Sequence, residues 1–177
     1  VTFVASTDIN DPFSFATAPD LGVQGSWHPS DDLSVNLGYY LTLAGAGSRD
    51  LAHFVDLVAN AHLGRFTFVF NADLGSTDQL ADDPASDAAL YGGLSLAAGA
   101  ELGAGFGAAV RGEALFDPDG LFYGASTLLY TLTGTVQYRP SVFEGALFRV
   151  EQRVESASRD IFETAAGPRG TWYSTLF

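Results

Sequence analysis

The stretch TLLYTLTGTVQYRPSVFEGALFRVEQRVE, residues 127–155, decides the fold. In its first half Leu128, Tyr130, Leu132, Gly134, Val136 and Tyr138 alternate with Leu129, Thr131, Thr133, Thr135, Gln137 and Arg139. Arg139-Pro140-Ser141 reads as the turn. The second half puts Val142, Ala146, Phe148, Val150 and Val154 on one face and Arg149, Glu151, Arg153 and Glu155 on the other. A period of two is the signature of a β-strand. The arms run about twice the ~5–6 residues of an average strand. They approach the ~9–11 residues that a tilted strand needs to cross a bilayer. One face suits hydrocarbon and the other carries charges, which is the pattern of a membrane β-barrel with a polar interior.

The same pattern recurs outward from this hairpin. Strands are expected at residues 1–9, 21–27, 33–43, 51–63, 66–74, 90–102 and 106–116, then the two arms, then 171–177. Residues 33–43 are the clearest case, with Leu33, Val35, Leu37, Tyr39, Leu41 and Leu43 against Ser34, Asn36, Gly38, Tyr40 and Thr42. Gly64-Arg65 is a two-residue hairpin with Gly first, as a type II′ turn requires. The connections at 28–32, 64–65, 103–105 and 139–141 are short, whereas those at 10–20, 45–50, 75–89, 117–125 and 156–170 are longer. Bacterial outer-membrane barrels sort their loops this way, with short periplasmic turns and long external loops. The fold class predicted is all-β, an antiparallel up-and-down transmembrane barrel of about ten strands, forming a single outer-membrane domain over residues 1–177.

Composition narrows the function. The formal charge of −13 opposes nucleic-acid binding, which cations drive. The chain has no Cys, hence no disulfide or thiolate metal site, and all 8 of its basic residues are Arg. No run approaches the ~18 apolar residues of a membrane helix, as expected where the membrane signal alternates. A start at Val1 without Met suggests that cleavage or trimming removed earlier residues. His53, Glu144 and Gln152 break the outward face, and each is placed near a strand end. Trp27, Tyr39, Phe66, Phe116, Tyr138 and Trp172 are expected to form interfacial girdles, although aromatics are also good strand formers.

The strongest constellation is a lumen charge cluster of Arg111, Glu113, Arg149, Glu151 and Arg153, the first four expected at similar heights on nearby strands with Thr131 and Thr133 between them. It reads either as a constriction that filters solutes or as an ion-pair network that stiffens the wall. Asp78, Asp82, Asp83 and Asp87 form the best candidate loop cation site, against the simpler reading of a solvated acidic loop. Asp117-Pro118-Asp119-Gly120 reads as a turn. His28, His53 and His62 lack metal-ligand spacing, no serine is singled out as a nucleophile, and residues 99–112 lack the Lys of a nucleotide loop. No catalytic residue, metal or cofactor is expected, and the chain is read as no enzyme.

Short motifs carry a resemblance over residues 21–160. Tyr138-Arg139-Pro140 followed by Arg149-x-Glu151-x-Arg153, Arg111-x-Glu113-x-x-x-Asp117-x-Asp119-Gly120, and Trp27-His28-Pro29 with Asp32-Leu33 and Gly38-Tyr39-Tyr40 resemble hairpins of the OmpL-like outer-membrane β-barrel porin family, the β-barrel porins of type 2. The resemblance implies a porin in a bacterial outer membrane for passive passage of small solutes, with no catalytic residues. It also implies more strands, contributed N-terminally, than this chain shows, so the chain is either a compact relative or lacks N-terminal residues. The alternative is a closed structural barrel whose external loops bind a partner protein, glycan or lipid. Outer-membrane lipid is the expected surrounding, and a protein partner or a homo-oligomer stays open.

Overall fold

A computed structural model describes residues 2–6, 20–43, 51–77, 88–143, 145–164 and 167–176. It contains β1 (Thr2–Ser6), β2 (Asp20–Ser30), β3 (Leu33–Leu43), β4 (Leu51–Leu63), β5 (Phe66–Thr77), β6 (Ala89–Gly103), β7 (Phe106–Asp117), β8 (Thr127–Tyr138), β9 (Phe148–Ala157), β10 (Phe162–Thr164), β11 (Gly167–Arg169) and β12 (Thr171–Leu176). Ten of these form one antiparallel meander in chain order, β1 to β9 and then β12. The small hairpin β10–β11 stands apart, inside the connection from β9 to β12. The described residues contain no helix.

Alternation becomes architecture through the register. One row of directly paired residues runs Trp27, Val35, Ala59, Phe70, Leu96, Gly112, Leu132, Val154 and Tyr173. The adjacent row, on the opposite face, runs Ser34, Asn60, Val69, Ala97, Arg111, Thr133, Arg153 and Ser174. The first row meets the short turn on β2 but the middle of β8, a stagger that accompanies strand tilt. Among the described residues Ala89 and Pro140 are the buried apolar side chains. Leu132 and Leu96 remain 58% and 57% exposed. A water-soluble sandwich would have packed these side chains against a second layer. Among the described residues nothing packs beneath the oily face, so acyl chains are its natural solvent.

The short turns follow their local chemistry. Gly64 takes φ 63 and lets Leu63 pair directly with Phe66, the type II′ arrangement expected there. The β8–β9 turn departs from expectation. It spans residues 139–147, and the second arm begins at Phe148 rather than Val142. Val142 and Ala146 are therefore loop residues. Gly145, at φ 81, breaks the strand there, and Phe143 N and Ala146 N bond back to Pro140 O and Phe143 O. Val142 and Phe143, 79% and 65% exposed, project from this turn.

The outward polar residues find neutral partners. His53 Nδ1 lies 2.7 Å from Tyr39 Oη on the same face. Gln152 lies well inside β9, not at its end, and its amide donates to Ser174 O at 2.8 Å and accepts from Thr175 Oγ1 at 2.7 Å. Glu144 lies outside the described residues. Trp27, Tyr39, Phe66, Phe116 and Tyr138 share the outer face, and Phe106 stacks on Tyr138 at 4.4 Å. Trp172 does not join them: it pairs with Glu155 on the inner face, and Tyr173 takes the outward position. β1 and β12 are the sheet's two edges and do not pair with each other. Hydrocarbon penalises unpaired edge groups, so both require strand partners in a bilayer. The even strand count leaves the two edges antiparallel.

Leu132→Arg should destabilise the folded protein in liposomes by about 2–4 kcal/mol. Thr135→Arg, inward and directly opposite Glu151, should cost much less. Urea titrations of both variants check this, and equal losses would contradict the assigned faces.

Candidate functional site on the inner wall

The inner faces of β6 to β9 present charge in register. Arg111, Thr133 and Arg153 lie side by side in one row. Glu113, Thr131 and Glu155 form the next row toward the long connections. Toward the short turns, Thr135 pairs with Glu151, and beyond it Gln137 pairs with Arg149. All five expected cluster residues therefore share the inner wall, but Arg149 and Glu151 sit in different rows from Arg111 and Glu113. The later start of β9 sets these row positions. Glu155 belongs to the cluster as well, and the repeated Arg-x-Glu spacing at 111–113, 149–151 and 153–155 is the sequence signal for it.

Neutralisation runs along strands rather than across them. Residues two apart on one strand share a face, so Arg111 Nε reaches Glu113 Oε2 at 3.2 Å and Arg153 Nη2 reaches Glu155 Oε1 at 2.7 Å. The Arg111 contact is Coulombic, since neither atom completes an aligned hydrogen bond. Thr135 Oγ1 donates to Glu151 Oε2 at 3.2 Å, and Arg149 Nη2 donates to Gln137 Oε1 at 3.4 Å. Arg139 approaches Glu101 at 3.9 Å near the turns. Thr133, 2% exposed between two guanidinium groups, has no partner for its hydroxyl. Arg65, Arg111, Arg149, Glu101 and Glu151 line a cavity of about 350 Å³ on this wall.

Elsewhere the inner wall carries neutral and acidic polar groups among apolar ones. Ser26 Oγ donates to Asn36 Oδ1 at 2.6 Å and Asn60 Nδ2 to Ser34 Oγ at 3.4 Å. Asp56 and Asp73 are direct neighbours on β4 and β5, and Asn71 Nδ2 donates to both, at 2.9 and 3.3 Å. Neither aspartate was singled out from the sequence, because each is one polar residue in an alternating strand and only the register joins them.

At the long-connection end Asp117 is fully buried. Its carboxylate accepts hydrogen bonds from Leu121 N, Phe122 N and Tyr123 N at 2.7, 2.9 and 3.2 Å. Asp119 Oδ2 accepts from Leu90 N at 2.7 Å and ties the loop to β6. The turn expected at Asp117-Pro118-Asp119-Gly120 is thus a loop folded onto its own carboxylates. Asp78, Asp82, Asp83 and Asp87 lie outside the described residues. Among the described residues no group of three or more His, Asp or Glu is arranged to hold a metal ion.

The family model described as "Putative beta-barrel porin-2, OmpL-like" matches residues 1–177. No curated protein and no solved structure matches the chain.

Two substitutions separate the loop anchor from the wall charges. Asp117→Ala removes the buried acceptor of three loop amides and should cost about 2 kcal/mol, with new chymotryptic cleavage at Phe122 or Tyr123. Arg111→Ala breaks a pair between partly exposed side chains and should cost less than about 1 kcal/mol. Denaturant unfolding and limited proteolysis measure both, and the reverse order of sensitivity would contradict the assignment.

Proposed function

The chain belongs to the OmpL-like β-barrel porin family of type 2, and from that premise we propose that it passes small hydrophilic solutes passively across a bacterial outer membrane. One observation supports this most directly. Polar and charged residues recur on the inner wall from the Gln137–Arg149 pair near the short turns to the Asp56–Asp73 pair on β4 and β5. The paired side chains stay partly exposed, 43% and 31% at Arg111 and Glu113 and 38% and 17% at Arg153 and Glu155, although the Arg111 Nε and Glu113 Oε2 atoms that meet are buried. A wall of water-accessible charge is inexpensive where water fills the interior and costly in a dry, packed one.

The arginines do not make this wall an anion filter. Arg111 and Arg153 are each matched by a glutamate two residues on, so the belt is close to neutral. The chain as a whole carries −13. A negative field at a pore raises the local concentration of cations and weakens as salt screens it. The matched belt supports a modest constriction that orders water and solute, while the field of the whole protein biases the permeating charge. This function calls on no catalytic group.

The full-length protein in planar bilayers should give stepwise, ohmic conductance with cations preferred over anions. The preference should shrink between low and high salt. Absence of conductance from the folded protein would overturn the channel reading, and anion preference would overturn the electrostatic part of it.

A further inference from the structure

Another feature of the inner wall lies above the charge belt. A single row of directly paired positions runs Tyr91, Gly75, Phe54, Tyr40 and Gly22 across β6 to β2. Its aromatic rings follow one another. Tyr40 and Phe54 have centroids 6.2 Å apart, Phe54 and Tyr91 stack at 6.5 Å, and Phe122 from the folded loop meets Tyr91 edge-on at 5.1 Å. The glycines are the seats of these rings. A Cβ at Gly75 would fall 2.1 Å from the Tyr91 ring, and one at Gly22 would fall 2.7 Å from the Tyr40 ring. The two tyrosines therefore lie across the sheet over bare backbone, and a ring laid flat turns its other face to the interior.

One register layer toward the short turns are Asp56 and Asp73, two residues along the strand from Phe54 and Gly75. Among the described residues no arginine lies within ion-pair distance of either carboxylate. Among the described residues, Asn71 donates its side-chain amide to both. The arginines that reach the inner wall are at the turns or on β7 to β9. Among the described residues, the wall of β3 to β6 near the long connections is thus aromatic and anionic, with no arginine on its strands.

The face of an aromatic ring carries negative quadrupole and attracts cations, most strongly those with weak hydration. Hard divalent ions want six or more oxygen ligands, and this patch offers two carboxylates, an amide and rings. A neutral solute would stack on the rings but gain nothing from the two unmatched charges. We propose that Tyr40, Phe54 and Tyr91, with Asp56 and Asp73 beneath them, form a binding patch for small organic cations of the alkylammonium type. This deepens the channel reading and rests on it for its biological use. The aromatic faces hold the alkyl groups and the carboxylates supply counter-charge, so the solute is concentrated near the pore's mouth before it passes the neutral belt.

The test is binding of choline to the full-length protein folded in detergent micelles, followed by calorimetry or ligand-observed NMR. The control is 3,3-dimethylbutan-1-ol, the neutral isostere of choline. Choline should bind, and the isostere should bind at least about tenfold more weakly. Tyr91→Leu and the double variant Asp56→Asn with Asp73→Asn should each weaken choline by a similar factor, while Tyr91→Phe, which keeps the ring, should not. Heat-modifiable gel mobility confirms that each variant is folded. Equal binding of choline and its isostere, or choline binding untouched by Tyr91→Leu in the folded protein, would overturn the proposal, as would preference for a neutral sugar. Conductance is measured in parallel on the same preparation. Binding without conductance leaves the patch standing and removes the channel; conductance without choline binding does the reverse.

Discussion

The backbone hydrogen-bond ladder is the constraint from which everything else in this protein follows. Hydrocarbon offers no partner to an amide, so a segment entering it must bond every N–H and C=O to another segment. An antiparallel meander does this with each strand bonded to its sequence neighbour, as β2 to β9 are. Once two strands are locked in register, the face of each side chain is fixed, because a slip of one residue exchanges the faces. The oily row from Trp27 to Tyr173 and the polar row from Ser34 to Ser174 are two readings of one ladder.

Much of this was legible in the residues because a strand between lipid and water must alternate. The alternation placed β3 and the Gly64 turn, and it put Arg111, Glu113, Arg149, Glu151 and Arg153 on one face of the sheet, as the register does. The family resemblance covered residues 21–160, and the family match extends over residues 1–177. What alternation could not do was count. Val142, Glu144, Ala146 and Phe148 keep the period by coincidence, so the turn at 139–147 passed for strand, and the rows of β9 shifted against β8. Trp172 and Tyr173 are both aromatic, so composition could not say which faced outward; pairing with β9 decides it. The short β10–β11 hairpin has three residues in each strand, too few for a period to register.

The inner wall divides its electrostatics between two regions. On β7 to β9 each carboxylate of the Arg111–Glu113 and Arg153–Glu155 pairs has its arginine on the same strand, so the belt needs no cross-strand precision to stay neutral. On β4 and β5 the neighbouring aspartates have an amide for company and a row of rings above. The loop pinned by Asp117 brings Phe122 to the end of that row, so a residue with a structural task also shapes the approach to the wall. None of these arrangements can be seen in a single strand; the register assembles each from residues that look ordinary where they stand.

The most direct measurement is quenching of tryptophan fluorescence by lipids brominated along their acyl chains. With Trp27 and Trp172 replaced by Phe, a single indole is placed by Leu96→Trp or by Ala97→Trp, neighbours in sequence on opposite faces of β6. In bilayers the Leu96→Trp indole should be quenched strongly, while the Ala97→Trp indole, facing the cavity beside Arg111, should respond to aqueous iodide or acrylamide instead. Equal bromine quenching at both positions, or strong quenching at Ala97→Trp alone, would contradict the assignment of the oily face to lipid.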